Sequence, residues 1–278
     1  MRIPKMRFHR LFSLLSISIL MFGCTEVSPI ISEEELVVVW AYLYADQPVE
    51  DIHLTLTLPL DTDSTTALPI NDAQVVLIKD NQRYECELTS GDSGYYRYVG
   101  DDFSVTAGDL IEIEMAYKDE LITSQTVVPE KPRSVSVNES VMTIPDFNDR
   151  ESMMAWREEG GNTIEVTWDN PDNSWYYVTL KNIDSNPVSI DSWRNDRMKD
   201  FVFPPMNDNK YSIRLPFITH LGLHRITVYK VNQEYVDLYE SREQDSRDLN
   251  EPLTNIDNGL GVFSAFNEAS VTLNVILQ

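Results

Sequence analysis

Alternation of apolar and polar residues dominates the chain from residue 36 onward. Leu36 to Tyr44 is a run of β-branched and aromatic residues, and His53 to Leu58 sets Leu54, Leu56 and Leu58 against polar partners. Both patterns are those of strands, whose side chains face alternate sides of a sheet. Ala73 to Ile78 runs into Asp80-Asn81 and returns as Arg83 to Leu88, the layout of a hairpin. Gly91-Asp-Ser-Gly94 marks the next reversal, ahead of Tyr95 to Tyr98. Between Asp109 and Tyr117, Ile111, Ile113, Met115 and Tyr117 face one way and Leu110, Glu112, Glu114 and Ala116 the other, so this strand is half-buried. Leu121 to Val128 completes the set, and Pro129-Glu-Lys-Pro132 is rigid extended linker chemistry that places a boundary near residue 132. About seven short strands with turn signals roughly every 8 to 12 residues describe an antiparallel sandwich.

From Arg133 the pattern loosens. Asp149 to Glu158 is a predicted short helix with Asp149 as N-cap, Gly160 past its end, and Met153 and Trp156 facing inward. Thr163–Trp168, Trp175–Leu180, Tyr211–Leu215, Arg225–Val231 and Val271–Ile276 read as strands, with Phe263 in another, whereas Val188 to Pro205 is irregular. Tyr235, Leu238 and Tyr239 have helical spacing and predict a short helix over Gln233 to Glu243. The expected fold is all-β: two consecutive antiparallel β-sandwich domains, residues 36–132 and 133–278, with one or two short helices.

Ahead of the first strand lie four basic residues (Arg2, Lys5, Arg7, Arg10), an apolar run of 12 residues from Leu11 to Phe22, then Gly23 and Cys24. A cationic start, a short apolar core and a small residue before cysteine is the layout of a bacterial lipoprotein export signal. Twelve residues are too few to cross a bilayer, which takes about 20. A usual lipobox has Leu three positions and a small residue two positions before the cysteine, where this chain has Met21 and Phe22. The expectation is a signal peptide at residues 1–23, lipid attachment at Cys24, and a tether over 24–35 ending in Glu33-Glu34-Glu35. Each buried acyl methylene adds about 0.8 kcal/mol, so several chains together anchor the protein permanently to a membrane.

Charge narrows the partners. The formal net charge is −23 from 22 basic and 45 acidic residues; loss of the four basic residues of the signal leaves 18 against 45, or −27. Such a surface repels phosphate backbones and anionic head groups, so no nucleic-acid partner is expected, and cations or basic peptides remain. With Cys24 committed to lipid, Cys86 has no partner for an intramolecular disulfide. Alternation places it with Tyr84 and Leu88 on one strand face, as a small buried hydrophobe beside Glu85 and Glu87.

These pieces together resemble a lipoprotein family of the Bacteroidota described as domain of unknown function 4249. The resemblance is carried by Cys24, the Leu36-Val-Val-Val39 strand, Asn71-Asp-Ala73-Gln-Val75 and Ser93-Gly94-Tyr95-Tyr96. It continues through Ala107-Gly108-Asp109, Val128-Pro129 and, most specifically, Asn255-Ile-Asp-Asn-Gly259-Leu-Gly261-Val-Phe263. The run from Ala73 to Val128 is also similar to transthyretin-like sandwiches, and Thr163 to Val231 to a fibronectin type III module. The family resemblance implies an outer-membrane location and an accessory or ligand-handling role beside a TonB-dependent transporter, with no enzymatic activity, catalytic residue or cofactor. Surface export in this phylum often follows an acidic run after the lipidated cysteine, and here Glu26 is the single acid of Thr25–Ser28.

Several local patterns offer chemistry and a simpler alternative. Gly91-Asp92-Ser93-Gly94 copies the surroundings of a serine-protease nucleophile, but His53 is the only histidine of that domain, and Asp-Ser-Gly is equally good turn chemistry. His220 and His224 have the spacing of a helical metal pair, but Gly222 between them and a strand after them favour a loop. Asp61 with Asp63, Asp101 with Asp102, and Asp169 with Asp172 and Asn173 offer oxygens for calcium, with Thr66 standing where a calcium loop needs its turn glycine. Gly259-Leu-Gly261 lacks the bracketing of a phosphate cradle. Trp40, Trp168, Trp175 and Trp193 are candidates for lining a groove, or for core; Asp63-Ser64-Thr65 resembles an O-glycan acceptor. Acidic pairs of glycosidase type are too abundant to single out. The leading expectation is therefore a non-enzymatic ligand-binding lipoprotein. The alternatives are a structural or adhesive surface protein and a secreted hydrolase.

Overall fold

The computed structural model describes residues 35–58, 66–146, 150–158, 163–190, 198, 200–242 and 253–278. The chain first forms β1 (Val37–Tyr44), β2 (Asp51–Leu56), β3 (Gln74–Lys79), β4 (Gln82–Leu88), β5 (Tyr95–Arg97), β6 (Leu110–Tyr117) and β7 (Glu120–Val127). It continues with β8 (Arg133–Val137), β9 (Val141–Ile144), α1 (Arg150–Glu158), β10 (Ile164–Asp169), β11 (Trp175–Asn182), β12 (Asp200–Val202) and β13 (Lys210–Ile213). The last elements are β14 (Gly222–Val231), α2 (Gln233–Arg242) and β15 (Leu260–Leu277). The fold is mostly β with two helices among the described residues, as the alternation predicts.

The N-terminal lobe has strands β15-β1-β2-β5 on one side and β4-β3-β6-β7 on the other, joined where β4 pairs with β5. Inward residues follow the alternation: β1 buries Val37, Val39, Ala41 and Leu43, while β6 buries Ile111, Ile113 and Met115. They meet Ile52, Leu54, Leu77, Ile122 and Phe263 in one aliphatic core. Each such side chain withdrawn from water contributes about 1.5–3 kcal/mol, which is why alternation is obeyed so strictly there. The Asp80-Asn81 turn has φ of 52° and 62°, the two positive values that a two-residue hairpin of this twist needs.

In the C-terminal lobe, β12-β11-β14-β15-β9 packs over the three-stranded sheet β13-β10-β8. Val178, Leu180, Ile226, Val228, Leu273 and Val275 from the first sheet meet Ile164, Val166, Trp168 and Ile213 from the second, and Met153 of α1 closes over them. Both the proposed cap Asp149 and Gly160 of that helix lie outside the described residues, as does the irregular stretch around Trp193.

The 18-residue β15 joins the two lobes. Its first half runs parallel to β1, Val38 against Leu260 through Tyr44 against Phe266. Its second half is antiparallel to β14, from Phe266 against Val231 to Val275 against Gly222, and its end runs parallel to β9. One face of this strand feeds both cores, with Phe263 and Ala265 in the first and Leu273 and Val275 in the second. The strand expected at Val271–Ile276 is thus the second half of a longer one that begins at Leu260, and two of its pairings are parallel. The boundary expected near residue 132 is a crossing point of β7 and β8, but the last strand belongs to both lobes. The Pro129–Pro132 connector is fastened as well, since Asn267 Nδ2 of β15 donates to the Pro129 carbonyl at 2.9 Å.

Strands β8, β9 and β12 were not legible in the sequence. They are three to five residues long, too short for alternation to repeat. On β4 the expected face is only partly inward: Tyr84 is buried, Cys86 is half-buried and Leu88 is exposed. Burial pushes the Cys86 thiol up to about 12, so it stays protonated and behaves as the small hydrophobe expected.

Candidate functional site

The lobes meet along the outer face of β1 and the face of β15 opposite the cores. Outward alternation on β1 presents Tyr42 and Tyr44 there, and Phe266 points from β15 into the same space. Tyr177 of β11 and Tyr229 of β14 come from the C-terminal lobe, and α2 lays Tyr235 across the top. Tyr177 and Tyr229 stack at 4.6 Å, Tyr44 stacks on Phe266 at 5.2 Å, and Tyr235 meets Phe266 edge-on at 5.0 Å. Offset and edge-on ring pairs of this kind contribute roughly 0.5–1.5 kcal/mol each beyond area burial.

These rings leave an open pocket of about 180 Å³. Its walls are Tyr42, Tyr44, Tyr177, Tyr235 and Phe266, with Leu238 and Tyr239 of α2 at one side and Asp51 of β2 at the other. Burial holds the phenols of Tyr44, Tyr177 and Tyr229 far above their ordinary range, and the carboxylates of Asp51 and Glu268 push further in the same direction. The phenols are therefore neutral at any physiological pH, and the pocket presents ring faces and hydroxyls. Asp51 is raised by its own burial, opposed by the imidazole of His53, and makes no ion pair among the described residues.

A polar hub holds α2 over this pocket. Glu234, in its first turn, accepts from Thr126 Oγ1 of β7 at 2.7 Å, from Asn232 Nδ2 at 3.1 Å and from Ser264 Oγ of β15 at 3.2 Å. Asn232 Nδ2 also donates to the Val127 carbonyl at 2.8 Å, and Trp175 Nε1 donates to Gln233 Oε1 at 2.9 Å. The helix expected at Gln233–Glu243 is present as α2, and it spans the seam rather than the second lobe alone.

A second, wider cleft of about 580 Å³ lies on the C-terminal lobe, between the Glu130-Lys131 connector, Arg133, the Asp169–Asp172 turn and Lys230. Within it Lys230 pairs with Asp172 at 2.8 Å, and Ser134 Oγ donates to Asp169 at 2.6 Å. Trp168 lines it with its indole Nε1 buried and lacking a hydrogen-bond partner among the described residues.

The patterns singled out from the sequence take structural places. At Gly91–Gly94 the chain reverses: Gly94 has φ 72°, a Cβ there would lie 2.4 Å from the Leu54 carbonyl, and its N–H donates to Asn71 Oδ1. His53 stacks on the Tyr95 ring at 4.1 Å, with no hydrogen bond to Ser93. His220 and His224 are buried at the start of β14, not on a helix. His220 Nδ1 pairs with Thr219 Oγ1 at 2.8 Å, and His224 meets Asn182 and the Gly222 carbonyl. Burial lowers the His224 pKa, so its ring is neutral. Among the described residues no group of three His, Cys, Asp or Glu is arranged to hold a metal. Asp102 accepts the Tyr98 hydroxyl, while Asp61, Asp63, Ser64 and Thr65 lie outside the described residues, as does Cys24.

The Asn255–Phe263 motif is a clamp for the fold. Asn255 donates to the Phe263 carbonyl at 2.7 Å and accepts its N–H at 3.0 Å, Asp257 exchanges backbone bonds with Thr123 of β7, and Asn258 Nδ2 reaches the Leu121 carbonyl. Gly261 has φ 104°, and a Cβ there would lie 2.0 Å from the Val39 carbonyl, so only glycine lets β15 run this close beside β1. Of the tryptophans weighed as groove residues, Trp168 is core, Trp40 and Trp175 are half-buried, and Trp193 lies outside the described residues. The groove is instead made by tyrosines. Their sequence signal was the placement of Trp40, Tyr42 and Tyr44 on the nominally polar face of β1.

A family model described as Domain of unknown function (DUF4249) matches residues 25–272. No curated protein matches the chain.

Proposed function

The chain belongs to that family, and from this premise we propose that it is a lipid-anchored, non-enzymatic binding protein of the outer membrane, holding a small ligand in the seam pocket and serving a TonB-dependent transporter. The observation that carries the reading is the open aromatic pocket where β1, β2, β11, α2 and β15 converge. A purely structural spacer gains nothing from leaving six aromatic rings around a void, because filling it with side chains adds dispersion contacts that a cavity forfeits. A preformed concavity of aromatic rings whose hydroxyls and the Asp51 carboxylate can orient an occupant is a usual form of a small-molecule site. The anchor rests on the Arg2–Cys24 pattern, and the transporter on the family resemblance.

The test is isolation of the full-length protein from detergent-solubilised membranes of its own cells, followed by native mass spectrometry. The expected result is a polypeptide beginning at an acylated Cys24, co-isolated with an outer-membrane transporter and carrying a small-molecule mass that the Tyr44→Leu variant lacks. A polypeptide with intact Met1, in the aqueous phase and without bound mass, would overturn the reading.

A further inference from the structure

We infer that the seam pocket takes an organic ammonium group, a quaternary or alkylated amine seated against the faces of Tyr42, Tyr44, Tyr177 and Tyr235 with the Asp51 carboxylate beside it. The inference rests on the pocket being the ligand site, and it assigns the chemistry of what enters.

Three observations converge on a cation. The walls are aromatic, and a ring face carries the negative end of its quadrupole, which attracts a positive charge within about 6 Å. Among the described residues Asp51 has no ion-pair partner, and no lysine or arginine of them lines the pocket. Glu268 takes the Tyr229 hydroxyl as a donor, and its charge acts on the wall residues Tyr44 and Tyr177 as well, a negative charge behind two of the rings and not itself a wall. The His53 imidazole acts on Asp51 and the Arg225 guanidinium on Tyr229, but neither is a wall of the pocket.

The same features exclude the other classes. An anion would meet the electron-rich ring faces and the Asp51 carboxylate inside a chain of net charge −23. A metal ion needs several converging oxygens, and Asp51 is the single carboxylate lining the pocket. A strongly hydrated primary ammonium gives up more on leaving water than an alkylated one, whose methyl groups already match aromatic walls. Size agrees: about 180 Å³ is below the roughly 300–1,000 Å³ of pockets for drug-sized ligands, and fits a head group with a short stem. The contrast with the Trp168 cleft is instructive, since there the cation Lys230 is already supplied by the protein.

The test compares choline with 3,3-dimethylbutan-1-ol, the neutral compound of the same shape, by isothermal titration calorimetry on the full mature chain. Choline is expected to bind roughly ten-fold tighter than the alcohol, the factor that a desolvated cation–ring contact supplies. Asp51→Asn, which keeps the side-chain shape at a half-buried position, is expected to shrink that ratio several-fold, and Tyr44→Leu, which removes a ring face, to shrink it as well. Equal binding of the two compounds would overturn the ammonium assignment while leaving the pocket as a ligand site. Failure of both to bind would overturn it too, and bound mass in the native isolation would then still uphold the broader reading. If Tyr44→Leu left the ratio unchanged, the ring face would play no part in choosing the cation, and the assignment would fall.

Discussion

The two lobe cores and the seam between them are built from the same strands but by opposite rules. In the cores, Val39, Leu43, Ile113 and Phe263 are fully buried, aliphatic or aromatic, and contacted on every side. At the seam, the outward residues of β1 include the half-buried Tyr42 and Tyr44, those of β15 the buried Ser264 and Phe266, and Asp51, Glu234 and Glu268 act among them. A strand has two faces, and here one stabilises the fold while the other presents chemistry. The difference teaches that function in this chain is found by asking which aromatics sit where alternation calls for polar residues.

That contrast yields graded predictions. The largest effect belongs to the core: Phe263→Ala, which empties a site shared by β15 and its neighbours, is expected to cost about 3–5 kcal/mol in urea denaturation. Gly261→Ala comes next, on the order of 3 kcal/mol, because it combines a disfavoured φ with a Cβ driven into the Val39 carbonyl. A loss below about 1 kcal/mol in either variant would mean that β15 is not the shared spine.

At the seam, Glu234→Ala strands three donors and is expected to cost about 1–3 kcal/mol, with faster hydrogen exchange confined to α2. Tyr44→Leu should change stability by no more than about 1 kcal/mol while removing ligand-induced stabilisation, the separation of roles that the two-face comparison demands. Equal damage to stability from Tyr44→Leu and Phe263→Ala would erase the distinction.

The pH response distinguishes two sites within the C-terminal lobe. Burial depresses His224 below 6.5, so the unfolded chain takes up the proton first; stability is full above that value and is lost as pH falls below it, levelling off once the folded form also protonates. His224→Gln should flatten this part of a stability-versus-pH curve. The smallest effect is at Asp172, held near about 2 by its hydrogen bond from Lys230. Its contribution is present above 3.8 and lost as pH falls toward about 2, and with the carboxylate 56% exposed Asp172→Asn should cost no more than about 1 kcal/mol.

Most of the strands were legible because their burial alternates over six or more residues, as in β1, β6 and β10. The pairing of β15 with β1 was not, since it joins residues more than 200 positions apart and no local pattern encodes a long-range parallel neighbour. The Asn255–Phe263 segment stood out in the sequence, but its role as a clamp emerges only when Asp257 meets Thr123 and Gly261 meets Val39. The seam pocket was illegible for a related reason. Its tyrosines come from β1, β11 and α2, where each alone reads as ordinary strand or helix composition, and attention falls on tryptophans, of which Trp168 proves to be core.

The most direct test of the seam as a binding site is an NMR titration of the ring-labelled tyrosines with tetramethylammonium chloride. The account predicts saturable shifts concentrated at Tyr42, Tyr44, Tyr177 and Tyr235, with Tyr84 and Tyr211, which pack in the two lobe cores, unmoved. Shifts spread evenly over all tyrosines, or confined to those outside the pocket, would contradict it.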